Sequence, residues 1–265
     1  MKSRGYFTQI YSYRRSGYYN KPTEYQLASY GSRIAEVVKS NRTDEFRDLM
    51  EMGLSPNACN QHGESLVHTV CRHSNIDHFR VLLELGVDVQ QTDDYGRTAM
   101  HDACWASTPC FEIARELLRR DSSVLFLYDI HGSVPLSYCT KKNWAAWNSF
   151  LAQIVDELFP IVKAQNPEVS PLFAMEPNSR PVPDPKKALS VEIAKKIASG
   201  DAEIDDPDDT GFDIDNMEHL GQTDLDEEES ADCDDDDSVL DSRSLRDYLK
   251  RNDSVVELLK DLDDD

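Results

Sequence analysis

Three stretches of this chain repeat one another: Asn60-Gln61-His62-Gly63-Glu64-Ser65-Leu66-Val67-His68, then Asp93-Asp94-Tyr95-Gly96-Arg97-Thr98-Ala99-Met100-His101, then Asp129-Ile130-His131-Gly132-Ser133-Val134-Pro135-Leu136-Ser137. Their glycines fall at 63, 96 and 132, each followed by a polar residue and an apolar run. A period of this length belongs to chains that stack one supersecondary unit on the next instead of wrapping a single core. Such a stack supplies an extended surface, so the expectation is a binding protein rather than a reaction vessel.

Local chemistry fills in the unit. Gly63 suits the positive φ of a tight turn, and Ser65 can cap a helix over Leu66 to Arg72. Ser74-Asn75 breaks that helix, and Asn75 can cap a second one from Ile76 to Glu84, which Gly86 ends in the left-handed conformation. The second helices share apolar positions at offsets 0, 3, 6 and 7. These are Thr43, Phe46, Leu49 and Met50 in the first unit, then Ile76, Phe79, Leu82 and Leu83 in the second. The third unit places Phe111, Ala114, Leu117 and Leu118 there, and the fourth Trp144, Trp147, Phe150 and Leu151. That spacing puts four side chains on one helix face, which a two-helix unit cannot bury by itself.

These motifs resemble the ankyrin repeat. Residues 65–93 follow the family pattern without a gap, and the third unit follows it through Gly96, Thr98, Met100, His101 and Ala103. The first unit joins at Gly53-Leu54-Ser55-Pro56-Asn57, and the fourth keeps Gly132, Pro135 and Leu136. The resemblance covers about residues 31–159. It implies an all-α ankyrin-repeat solenoid of about four helix-turn-helix units, with helix pairs in a curved slab and hairpin tips projecting at right angles. The third unit carries two extra residues in the turn Trp105–Cys110, which should bulge from the slab. The fourth puts Val134 and Ser137 where the family has Thr and His, and its second helix runs on to Pro160. A long, aromatic-rich last helix reads as the cap over an open end.

Charge divides the chain. Residues 1–200 hold 23 Lys+Arg and 23 Asp+Glu, whereas residues 201–265 hold 5 and 27, which accounts for the whole net charge of −22. A neutral body without a basic stripe argues against direct nucleic-acid binding. No apolar run is long enough to span a membrane, and no secretory signal is visible, so the expected compartment is cytoplasm or nucleus. The organisation expected is a Tyr-rich basic extension over 1–30, the repeats over 31–165, and a Pro-rich linker with a short helix over 166–200. An acidic disordered segment over 201–237 and an amphipathic helix over 238–265 follow. The extension carries five basic and no acidic side chains in its first 23 residues, which suits a transit peptide or a disordered arm. Asp184-Pro185 reads as the start of the short helix, which would run over Ala188 to Ser199 and end at Gly200.

Little chemistry beyond binding is visible. Cys71 and Cys104 are 33 residues apart because they fill one repeat slot at the helix–helix contact. His68 and His101 share another slot, and the family resemblance implies that they brace neighbouring units. Zinc sites favour Cys–Cys or His–His pairs two to four residues apart, and the chain has neither. Asp206 to Gly211 has the look of a calcium loop, but Met217 stands where the twelfth-position glutamate belongs. No nucleophile elbow, phosphate loop or metalloprotease helix appears. The reading is therefore non-catalytic, with no cofactor and no metal.

The resemblance implies partner binding through hairpin tips and the groove-facing side of the first helices. By slot, the tips are His62, Glu64, Tyr95, Arg97, Ile130 and His131, and the groove residues are Thr69, Arg72 and His73 in the second unit and Asp102, Trp105 and Ala106 in the third. Tyr95, Arg97 and Trp105 are the preferred anchors, being of the types that dominate interface energies, although Trp105 could instead pack on its own enlarged turn. The expected function is an adaptor or scaffold for a protein partner. The alternative is a regulator acting through the acidic tail on basic proteins such as histones, and the C-terminal helix could also fold back on the slab.

Overall fold

The computed structural model describes residues 4, 11–12, 18–19, 21–161, 184–185 and 188–201. Nine α-helices, three short 3-10 helices and one two-stranded parallel ladder make up the described elements. The helices are α1 Glu24–Ala28, α2 Ser32–Lys39, α3 Thr43–Glu51, α4 Leu66–Arg72, α5 Ile76–Glu84, α6 Ala99–Trp105, α7 Phe111–Arg120, α8 Trp144–Leu158 and α9 Val191–Ser199. Strands β1 (Tyr11–Ser12) and β2 (Leu127–Tyr128) pair in parallel.

Each repeat begins from the same turn chemistry. Gly63, Gly96 and Gly132 take φ of 73°, 78° and 78°, the region that only glycine enters without steric cost. Ahead of each glycine, an Asn or Asp side chain gathers the tip's amides. Asn60 Oδ1 accepts from the N–H groups of His62 and Glu64, Asp93 Oδ1 from that of Arg97, and Asp129 Oδ1 from those of His131 and Ser133. The following residue then caps a helix. Ser65 N–H donates to Nδ1 of His68 at 3.3 Å, and Thr98 N–H donates to Nδ1 of His101 at 2.9 Å. A backbone N–H can only donate, so each imidazole carries its proton on Nε2. Those protons cross to the next unit, from His68 to the Arg97 carbonyl at 3.0 Å and from His101 to the Ser133 carbonyl at 3.1 Å. The bracing implied for both histidines is present.

The inner row is α2, α4 and α6, and the outer row is α3, α5, α7 and α8. Of the helix-face positions expected from the offset pattern, Phe46, Leu49, Phe79, Leu82, Ala114, Leu118 and Phe150 lie between the rows and are all less than 5 % exposed, whereas Thr43, Ile76, Leu83, Phe111, Trp144 and Leu151 are half-buried. Burial of each large apolar side chain is worth about 1.5–3 kcal/mol, and the cluster runs unbroken from Ile34 to Ile154. Cys71 and Cys104 sit in this layer as small apolar groups, and burial pushes both thiols well above the ordinary range.

The fourth unit departs from the pattern. A 3-10 turn, Pro135–Tyr138, replaces its inner helix, and a second one, Lys141–Asn143, leads into α8. Val134 and Ser137 cannot form the Thr–His cap that starts α6, and Cys139 turns extended at φ −63°, ψ 128°. Phe111 of α7 packs on Trp147 and Phe150 of α8, with ring centroids 5.1 and 4.7 Å away. The enlarged turn after α6 is pinned on both sides, Thr108 O accepting from Ser74 Oγ at 2.5 Å and Ser107 O from Asn143 Nδ2 at 3.2 Å.

The opposite end of the stack is closed by two pieces of chain far apart in sequence. Helix α9 packs against both α1 and α2, burying Ala194, Ile197 and Ala198. A Cβ placed on Gly31 would meet the backbone carbonyl of Ala198 at 2.6 Å, so only glycine permits this approach. Ser32 Oγ donates to the Ser199 carbonyl at 3.0 Å, and Leu189 N–H donates to Tyr25 Oη at 3.0 Å. The short helix differs from its expected form: Ser190 caps it, accepting from Ile193 N–H, and it starts at Val191. Asp184 instead accepts from Thr23 Oγ1 at 3.0 Å. Gly200 ends the helix at φ 88° as expected.

The N-terminal extension also makes contacts that a loose arm would lack. Tyr18 is buried, and its carbonyl accepts from Thr92 N–H at 3.1 Å. Arg4 reaches Asp156 at 2.7 Å and the Phe159 carbonyl at 3.1 Å. Among the described residues no helix is long and apolar enough to cross a membrane. Most of the Pro-rich stretch, the acidic segment beyond residue 201 and the 238–265 amphipathic stretch lie outside the described residues.

Candidate functional site

The slots expected to face a partner fall on one edge of the slab, where hairpin tips meet the inner helices. The tips are laced together: Asp94 N–H donates to the His62 carbonyl at 2.9 Å and Ile130 N–H to the Tyr95 carbonyl at 2.8 Å. That ladder places Tyr95 and Ile130 side by side, 40 % and 47 % exposed. Trp105, at the end of α6, is 44 % exposed.

Two arginines tie the aromatic groups together. Arg72 lies over the Trp105 ring at 4.9 Å, and Arg97 sits 5.7 Å from Trp105 and 5.1 Å from Tyr95. Each such contact contributes about 0.5–2 kcal/mol, depending on how dry it is. Both guanidiniums are held from below by carboxylates. Arg72 Nε donates to Asp102 Oδ1 at 2.7 Å and its Nη2 also pairs with Glu64. Arg97 Nε donates to Asp93 Oδ2 at 2.7 Å. The indole therefore stands exposed while its cationic neighbours are fixed in place. Tyr138 pads it from the fourth unit at 5.9 Å and donates to Asp129 Oδ2.

Burial and charge compete at these groups. Burial alone would raise the Glu64 carboxyl, but Arg72, His68 and Arg97 outweigh it and hold the group below the usual range. At Asp102 burial wins and the carboxyl is pushed up, despite Arg72 beside it. Its Oδ2 has no hydrogen-bond partner among the described residues. Burial disfavours the charge on Arg97, but Asp93 and Asp102 more than restore it.

The candidate residues thus separate into two groups. His62, His73, Tyr95, Trp105, Ile130 and His131 are exposed, and Glu64, Arg72 and Arg97 are half-buried. Thr69, Asp102 and Ala106, expected on the groove surface, lie beneath it at 7 %, 0 % and 1 % exposure. Burial raises the Tyr30 phenol, with Thr69, Glu64 and Arg72 as its neighbours. Tyr30, Asp93 and Tyr138 belong to the site without having been singled out for it. Each fills a repeat slot, Tyr30 one unit before Glu64 and Tyr138 one unit after Asp102, so counting slots outward from the complete repeats finds them.

The family model for ankyrin repeats matches residues 34–126 as three copies. These repeats are ankyrin repeats. The match ends before the fourth unit, whose inner helix is lost. No curated protein matches the chain. Ankyrin repeats are protein–protein interaction modules and are generally not enzymes.

Proposed function

We propose that this protein is a non-catalytic adaptor whose ankyrin slab docks a protein partner on the edge formed by Tyr95, Arg97, Trp105 and Ile130. The observation that carries this reading is the exposed Trp105 indole clamped beside two immobilised guanidiniums. Aromatic and arginine side chains at the centre of a preformed patch are the usual seat of interface energy, and groups already held in place lose little freedom when a partner arrives.

Affinity capture with the full chain tests the proposal, comparing it with Tyr95→Ala/Trp105→Ala. Loss of the specifically retained proteins by the double variant is the expected result. Undiminished retention, with an unchanged circular dichroism spectrum, would rule this edge out.

A further inference from the structure

The inner helices α2, α4 and α6 end on one repeat slot, occupied by Lys39, Arg72 and Trp105, each 33 residues from the next. The fourth unit continues this row. Tyr138 packs on Trp105, and Asn143 Nδ2 donates to the Ser107 carbonyl at 3.2 Å. The intervening Lys141 and Lys142 are thereby held beside the turn that follows Trp105. On the other side, His73 follows Arg72. Burial first, then the charges of Arg72 and Lys39, hold its imidazole below the usual value. Cations therefore flank the exposed indole on both sides along the groove.

Pairing within the slab does not account for the lysines. Every arginine between residues 31 and 161 takes part in an ion pair. Lys39, Lys141 and Lys142 are the only lysines in that span. All three are exposed, and none forms an ion pair among the described residues. Glu36, on the same helix as Lys39, is held by Arg42 at 3.1 Å, and Glu64 and Asp102 are held by Arg72. Lys39 suits the C-terminal end of α2, but Lys141 and Lys142 precede α8, the end of a helix dipole that disfavours cations.

We propose that this row seats an acidic, extended segment of the partner protein, with carboxylates on Lys39 and on Lys141 and Lys142, and an apolar side chain on Trp105 between them. This names the partner class for the adaptor reading and rests on it. Charge complementarity selects the occupant, because the guanidiniums already hold carboxylates and the three ammonium groups do not. Length fits as well. Neighbouring helices lie about 8–10 Å apart, so the three steps from Lys39 to Lys141 span about 24–30 Å, the reach of about eight extended residues. Trp105 stands two steps from Lys39 and one from Lys141, so the apolar residue falls nearer one acidic end than the other.

The test is fluorescence anisotropy with a fluorescein-labelled peptide bearing a pair of glutamates at each end, about eight residues apart, and one phenylalanine between them. A peptide with glutamine in place of glutamate is the control. The full chain should bind the glutamate peptide about tenfold more tightly than the control, which is what three exposed ion pairs together are worth. Lys39→Gln/Lys141→Gln/Lys142→Gln should abolish that preference and leave the circular dichroism spectrum unchanged. Trp105→Ala should weaken the glutamate peptide by about tenfold. Equal binding of the two peptides, or a lysine variant that keeps the preference, overturns the proposal. Ending the chain at Asp201 should leave the preference in place. A preference that emerges only after this truncation means that the chain's own acids fill the row, which overturns a partner as its occupant. In parallel capture, loss of retained proteins by Tyr95→Ala/Trp105→Ala with full retention by the lysine variant sinks the acidic partner and leaves the adaptor reading standing.

Discussion

The two faces of the slab use arginine in opposite ways. On the outer row, Arg47 pairs with Glu84 at 2.9 Å, Arg80 with Glu112 at 2.5 Å, and Arg119 with Glu157 at 2.6 Å. Each pair joins one repeat to the next, but the side chains are 40–58 % exposed. Exposed pairs of this kind contribute little, because water and salt screen them. On the inner edge, Arg72 and Arg97 reach carboxylates that are 1 % and 0 % exposed and lie against aromatic rings. The same ion pair thus keeps outer helices in step on one side and builds a rigid recognition surface on the other. What differs is the water around it.

Breaking the inner pairs should therefore cost far more than breaking the outer ones. Arg72→Ala leaves Asp102 buried without its cation and should destabilise the fold by about 3–4 kcal/mol in urea denaturation. A smaller cost would mean that water already reaches Asp102.

Acid should reveal the same buried layer. Burial holds His101 down to about 4 from 6.5, and protonating Nδ1 would set it against the Thr98 N–H. A depressed folded-state value means that the unfolded chain takes up the proton first. Stability contributed by neutral His101 is therefore complete above pH 6.5 and declines as pH falls to about 4, by about 3 kcal/mol in all. The raised Asp102 carboxyl works in the other direction, returning part of that loss as it protonates. Urea midpoints taken across this range should fall with pH for the native chain. They should fall less for His101→Gln, whose amide can accept from Thr98 and donate to Ser133.

Trp105→Ala should separate stability from function. Its loss should cost about 1 kcal/mol of stability through the two guanidinium contacts, yet reduce partner retention severely. Parallel thermal melts and capture assays would show the two effects. The smallest change belongs to the outer row: Arg80→Ala should leave the melting temperature in high salt where it was, and a clear drop would erase the contrast between the faces.

Helix bounds were the most legible part of this protein. Leu66–Arg72 and Ile76–Glu84 follow from Ser65, Asn75 and the glycines, because caps and left-handed turns act within a few residues. The shared slots of Tyr95, Arg97 and Trp105 were equally readable, since a period transfers position along with type. Burial at Thr69 and Asp102 was not, because it depends on what the preceding unit lays over them, namely Tyr30 and Arg72. Neither was the partnership of α1 with α9, which joins Tyr25 to Leu189 across 164 residues. Periodicity carries no information about contacts between segments outside the repeat.

The extension ahead of the repeats touches the stack from end to end. Arg4 meets α8, Tyr11–Ser12 pairs with Leu127–Tyr128, Tyr18 bonds Thr92, and Tyr25 donates to the Gly53 carbonyl. Solenoids commonly grow or shrink by duplicating or losing a module. Here such a change would misalign every one of these fastenings at once, so the strap works as a molecular ruler that holds the number of modules constant.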